Sequence, residues 1–141
     1  MPEHFLRHAL VSTLVLGSFG VLADAALARD KPAVLYSFSC TTPVLGSERC
    51  GDANRNIRLY PGQRLSVEWD STSKEACMTF YVIHAVSGKA LGRTDELCKC
   101  PTTSEGVWAN PKDEAVDVYV TVSSDVTSNV RIGGTYVVDK P

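Results

Sequence analysis

The residues best suited to chemistry in this chain lie between Cys77 and Cys100. The stretch holds three of the five cysteines and, with Met78 and His84, the ligand types that take copper(I) or zinc when thiols are reduced. Cys98 and Cys100 give the pattern Cys-x-Cys, the core of a metal or redox carrier. The spacing works against a shared ion, because Met78 and His84 lie about 20 Å apart on an extended strand. No metal and no cofactor is therefore expected.

Catalytic arrangements fare no better. His84 is the only histidine beyond the leader segment, and no Gly-x-Ser-x-Gly elbow accompanies it. The doublets Asp95-Glu96 and Asp113-Glu114 put neighbouring carboxylates on opposite faces of a strand, so neither is a glycosidase pair. Asp52, Asn54 and Asn56 have an oxygen-rich rhythm but lack the glycine and distal glutamate of an EF-hand loop. Gly133-Gly134 has no Lys-Ser/Thr after it and is not a phosphate loop. No catalytic residue is assigned.

A structural role for the cysteines is the simpler reading. The segment Cys77 to Val86 reads as a strand, Ser87-Gly88 as a turn, and the chain returns to Cys98 and Cys100. A two-residue loop at Ser87-Gly88 would set Cys77 opposite Cys98, and a four-residue loop would set it opposite Cys100. A three-residue loop allows neither, because a one-residue slip changes the face. Cys98 and Cys100 would stand roughly 6.5 to 7 Å apart at extended geometry, at or past the limit for a mutual bond. The preferred pairing is Cys77 with Cys98 and Cys40 with Cys50. Cys100 is left free or available for an intermolecular bond, which would give a disulfide-linked dimer.

Disulfides need an oxidising compartment, and the start of the chain agrees. Met1 to His8 carries Arg7, Ala9 to Ala23 is an apolar run of 15 residues, and Ala26-Leu27-Ala28 has the small-x-small pattern of a signal-peptidase site. Residues 1–28 are read as a signal peptide cut before Arg29, with a cut after Ala25 as the alternative. The run falls short of the roughly 20 residues of a spanning helix, and no membrane span is expected in the mature chain. Of 141 residues, 113 remain as a single domain, 29–141. Losing Arg7, Glu3 and Asp24 turns 14 basic and 16 acidic residues into 13 and 14, a net charge of −1. So even a balance, with no basic run, argues against a nucleic-acid partner. Asn54, Asn56, Asn110 and Asn129 all lack the hydroxyl residue of a glycosylation site, which fits a bacterial periplasmic or secreted protein.

The elements that must position these residues are strands. Val34, Tyr36, Phe38 and Cys40 alternate with polar neighbours. Leu65, Val67 and Trp69 alternate with Ser66, Glu68 and Asp70. Val116, Val118, Val120 and Val122 make the clearest strand of all. Cys77 to Val86 is apolar on both faces and is placed inside a sheet, with Met78, Phe80, Val82, His84 and Val86 on one face. Ile57 to Tyr60 ends at Pro61-Gly62, a type II turn signal. Thr41 to Asn56 reads as loop, and a last strand, Asn129 to Val138, is expected to bulge at Gly133-Gly134. About seven or eight short strands at intervals of roughly ten residues predict an antiparallel β-sandwich of immunoglobulin-like architecture, with a small barrel as the alternative.

Tyr81, Trp108 and Tyr119 are the candidate ligand surface, since aromatic residues on polar faces and loops can hold a sugar or a protein. The expectation is a small exported, non-catalytic binding or interaction module of the bacterial envelope or secretome, with a protein or glycan partner. An enzyme or inhibitor acting on envelope polymers is the second reading. A metal or redox carrier using Cys98 and Cys100 is the third.

Overall fold

The computed structural model describes residues 33–139, and the expected signal peptide lies outside them. The described residues form strands and turns with no helix. The strands are β1 (Val34–Thr42), β2 (Glu48–Arg49), β3 (Ile57–Leu59), β4 (Arg64–Thr72), β5 (Met78–His84), β6 (Ala90–Arg93), β7 (Glu105–Ala109), β8 (Val116–Ser124) and β9 (Val130–Val138). One sheet runs β1-β9-β4-β7 and the other β2-β8-β5-β6, with β3 also on β8, every pairing antiparallel. The result is a disulfide-stapled β-sandwich, as the alternation predicts.

The alternating apolar residues meet between the sheets. Leu65, Val67 and Trp69 from one sheet and Phe80, Val82, Val118, Val120 and Val122 from the other are all buried. Phe38 stacks on Tyr136 with centroids 4.3 Å apart and meets Phe80 edge-on at 5.9 Å, so aromatic contacts join the sheets at the β1 end. Two buried amides hold the turns. Asn110 Nδ2 donates to the carbonyls of Leu59 and Glu114, and Gln63 Oε1 accepts from the amide of Tyr60 at 2.8 Å. The Pro61-Gly62 turn closes with the Gln63 amide donating to the Tyr60 carbonyl, Gly62 supplying the positive φ of 78° that a type II turn needs.

Four expectations change in detail. The stretch Thr41 to Asn56 is not all loop, since β1 runs on to Thr42 and Glu48–Arg49 pairs with β8. The β9 strand is unbroken against β1, Ser39 facing Gly133 and Phe38 facing Gly134; the extra residue, Asp70, is on β4, between Trp69 opposite Gly134 and Ser71 opposite Gly133. The β5 strand ends at His84, so Val86 leaves the sheet and is 89% exposed. The turn is also longer than two residues: His84 and Lys89 are joined by a backbone hydrogen bond and Ile83 faces Ala90. The return strand then gains one residue between Ile83 and Val82 and a second between Tyr81, which faces Arg93, and Met78, which faces Leu97; the two together bring Cys77 opposite Cys98. Thr94 fills one of these irregularities, accepting from the Phe80 amide at 3.1 Å through its hydroxyl.

Candidate functional site

Both disulfides join the pairs chosen from spacing, Cys40 with Cys50 and Cys77 with Cys98, and Cys100 carries a free thiol. The first bond ties β1, at the edge of one sheet, to the residue after β2, at the edge of the other. It closes one side of the sandwich. On the opposite side β6 and β7 are the edge strands, and Trp108 packs there: a Cβ added at Gly92 would lie 2.8 Å from its ring.

Beside the first disulfide lies a pocket of about 240 Å³. Leu35, Tyr36 and Ser37 of β1 form one wall, and Arg49, Asp52 and Arg55 another. The floor is built from the core outward. Tyr136 reaches from β9 under the pocket and donates its buried hydroxyl to the Cys50 carbonyl at 2.8 Å. Burial raises the pKa of this phenol well above the ordinary tyrosine range, so the hydroxyl stays a donor at any physiological pH.

Two arginines shape the rim, and they are used differently. The Arg49 guanidinium lies 4.6 Å from the Tyr119 ring centroid, and its Nη2 is in reach of three acceptors: the carbonyls of Asp52 at 3.0 Å and Arg55 at 3.1 Å, and Asn56 Oδ1 at 3.2 Å. That side chain holds the loop 50–56 in shape. The loop adds its own Asx turn, the Asn54 amide donating to Asp52 Oδ1 at 2.9 Å. Arg55 projects from this loop to lie 5.4 Å from the Tyr36 ring centroid. Among the described residues its guanidinium makes no hydrogen bond and no ion pair, whereas that of the neighbouring Arg58 pairs with Asp117 at 3.4 Å. Arg55 therefore offers a planar fork of donors beside an aromatic ring, at the mouth of a pocket with a fixed floor.

The residues expected to form a ligand surface are divided by the fold. Tyr119 stands at this pocket. Tyr81 shares the outer face of the same sheet, opposite Thr121, nearer its middle. Trp108 lies on the far side of the sandwich and joins neither. Tyr36, Arg49, Arg55 and Tyr136 were not singled out from the sequence. The available signal was the Cys40 to Cys50 bond itself, which places Arg49 next to a β1 strand carrying Tyr36.

The cysteine stretch forms a second, more open cleft of about 760 Å³ where the Cys77–Cys98 bond, Cys100 and Trp69 meet. Glu96 lies near enough to the two bonded sulfurs to form a ligand cluster, but each sulfur is committed to the other. Cys100 Sγ donates to the Trp69 carbonyl at 3.8 Å; burial, with help from the Asp70 charge, pushes its pKa up and keeps it a neutral thiol. Neutral thiols are poor nucleophiles and poor ligands. His84 Nδ1 accepts the Ser87 amide at 3.1 Å and lies 3.1 Å from the Ser87 hydroxyl, an arrangement that shapes the hairpin turn. No carboxylate among the described residues bonds the ring, so the pair lacks the third group that orients a catalytic base.

These features define the class as a two-sheet, disulfide-stapled β-sandwich with an aromatic and cationic pocket beside the disulfide-linked β1 edge. Comparison with protein-family models, with curated proteins and with solved structures finds no match in any of the three.

Proposed function

We propose that this chain is a non-catalytic binding module working in an oxidising compartment outside the cytoplasm, and that it takes an anionic group of its ligand at the pocket between Tyr36 and Arg55. The observation that carries this reading is the Arg55 guanidinium, set over the Tyr36 ring with no hydrogen bond or ion pair among the described residues, at the mouth of a pocket whose floor and loop are fixed by Tyr136 and Arg49. Two disulfides support the compartment. A guanidinium fork matches a carboxylate with two parallel hydrogen bonds, and the tyrosine faces supply apolar contact for whatever bears it. The ligand is a carboxylate-bearing segment of a protein or glycan.

The test is titration with N-acetylglutamate amide and with glucuronate, followed by amide NMR shifts. Binding should move the signals of Tyr36, Arg55 and Tyr119, and Arg55→Gln should weaken it by about tenfold, in line with loss of one charge-assisted contact. Unchanged affinity in Arg55→Gln, or shifts confined to other parts of the chain, would remove the pocket from consideration.

A further inference from the structure

The β1 strand is the exposed edge of its sheet, and it differs from every other edge of the sandwich. The β2 and β3 strands are two and three residues long, and β6 is four residues interrupted by a register shift. The β7 strand is five residues with a shift against β4. Short, bulged edges are how β-proteins prevent strands from adding. By contrast, β1 has nine residues, Val34–Thr42, paired with β9 in unbroken register, with no charge, proline or glycine among them. Among the described residues its backbone makes hydrogen bonds to β9 alone, so the outward amides and carbonyls of the strand have no protein partner. Leu35 is 64% exposed and Val34 42%. The Tyr36 and Arg55 pocket opens beside Leu35 to Ser37, and the Cys40–Cys50 bond closes its end.

We infer that β1 from Val34 to Ser39 is a strand-addition site: an extended segment of a partner protein pairs with it through the backbone and sets one acidic side chain into the pocket against Arg55. This rests on the pocket being the ligand site, and it names the ligand as peptide rather than glycan. Backbone pairing supplies affinity without sequence preference, while a pocket for one side chain supplies selectivity. The pocket is sized for a single side chain. Arg49, Arg55 and Asp52 line it; the Asp52 carboxylate accepts the Asn54 amide, and two arginines against one aspartate leave the site net positive, so a glutamate or aspartate is favoured over a lysine. Loop 50–56 is held by Arg49 before any partner arrives, which reduces the ordering cost of binding.

The experiment uses a capped peptide of alternating valine and threonine with one central glutamate, beside the same peptide N-methylated at alternate residues and a version with lysine at the centre. Hydrogen exchange of the β1 amides and NMR titration are read for each, with N-acetylglutamate amide as the side-chain-only control. The expected result is slowed exchange at β1 with the glutamate peptide, at least about tenfold weaker binding for the N-methylated and lysine peptides, and weaker binding in Arg55→Gln. Because the block to pairing sits on the peptide, the fold of the protein is not at stake. If the N-methylated peptide or the small control binds as well as the plain peptide, the pocket survives and strand addition is overturned. If the lysine peptide binds as tightly as the glutamate one, the acidic specificity is overturned. If no peptide and no carboxylate binds, both readings fall. If β1 amides of the protein alone become protected as its concentration rises, the edge belongs to a second copy and the inference is overturned.

Discussion

The hydroxyl of Tyr136 donates to the carbonyl of Cys50 at 2.8 Å, so a residue of the last strand supports the cysteine that fastens the first strand to the opposite sheet. The aromatic stack of Tyr136 on Phe38 and the Cys40–Cys50 bond thus act on the same corner. The pocket exists because this corner is fixed from below.

Replacing Tyr136 with phenylalanine should leave the fold intact and cost about 1 to 3 kcal/mol, since the Cys50 carbonyl loses a buried donor. The pH dependence has a defined sign. Burial raises the folded-state pKa of this phenol above its ordinary value of 10.0, so its contribution is fully present below pH 10 and is lost as the pH rises above it, where the unfolded chain ionises first. Urea unfolding at rising alkaline pH should show a steeper loss for the wild type than for Tyr136→Phe. Parallel curves would rule out this origin.

Gly134 is required by close approach. A Cβ there would collide with the Glu68 carbonyl and stand 2.8 Å from Phe38 Cζ. Gly134→Ala should therefore destabilise the sandwich by about 1 to 3 kcal/mol, the usual cost of overfilling a packed interior. An unchanged midpoint in thermal or urea unfolding would show that β4 can move aside.

Cys100 should react slowly. Its neutral form is favoured by burial and then by Asp70, so alkylation by iodoacetamide near neutral pH should run well below the rate of an exposed peptide thiol. Asp70→Asn should raise the rate. A wild-type rate equal to that of a free thiol would show the side chain to be open and reactive, and would strengthen a role in joining two chains.

The Cys77–Cys98 bond closes the longer of the two loops, with a sequence separation of 21 against 10 for Cys40–Cys50. Loop-closure entropy makes removal of the longer staple the costlier of the two on that ground alone, about 3 kcal/mol. Comparing urea midpoints of the Cys77→Ser/Cys98→Ser and Cys40→Ser/Cys50→Ser variants checks the order. A larger loss for the second pair would mean that the packing of buried Cys50 against the core outweighs the loop term.

The strands were legible because each carries its own pattern. Leu65, Val67 and Trp69, or the four valines of β8, announce a buried face without any knowledge of their neighbours. Counting from Ser87-Gly88 pairs Cys77 with Cys98, yet the chain arrives there by a longer turn and extra residues on the return strand, two departures that offset each other. Bulges depend on what lies across the sheet, so Asp70, not Gly133-Gly134, carries the added residue at the β4 and β9 junction. The pocket was hidden for the same reason. Tyr119 and Tyr136 lie more than 60 residues from Tyr36, Arg49 and Arg55, and no local period links the five. Trp108 and Tyr119 look alike in sequence as half-exposed aromatics, but strand order sends them to opposite sides.

The pairing of Val34 with Val138 brings the points where the chain enters and leaves the sandwich side by side on neighbouring antiparallel strands. A pull applied between those two points loads the ladder one rung at a time, as a zipper is opened, because the strands run in opposite directions from the pulled end. Only β1 residues ahead of Cys40 can be peeled in this way. Beyond that residue the covalent link to Cys50 passes the load to the other sheet, so the first disulfide also serves as a mechanical stop.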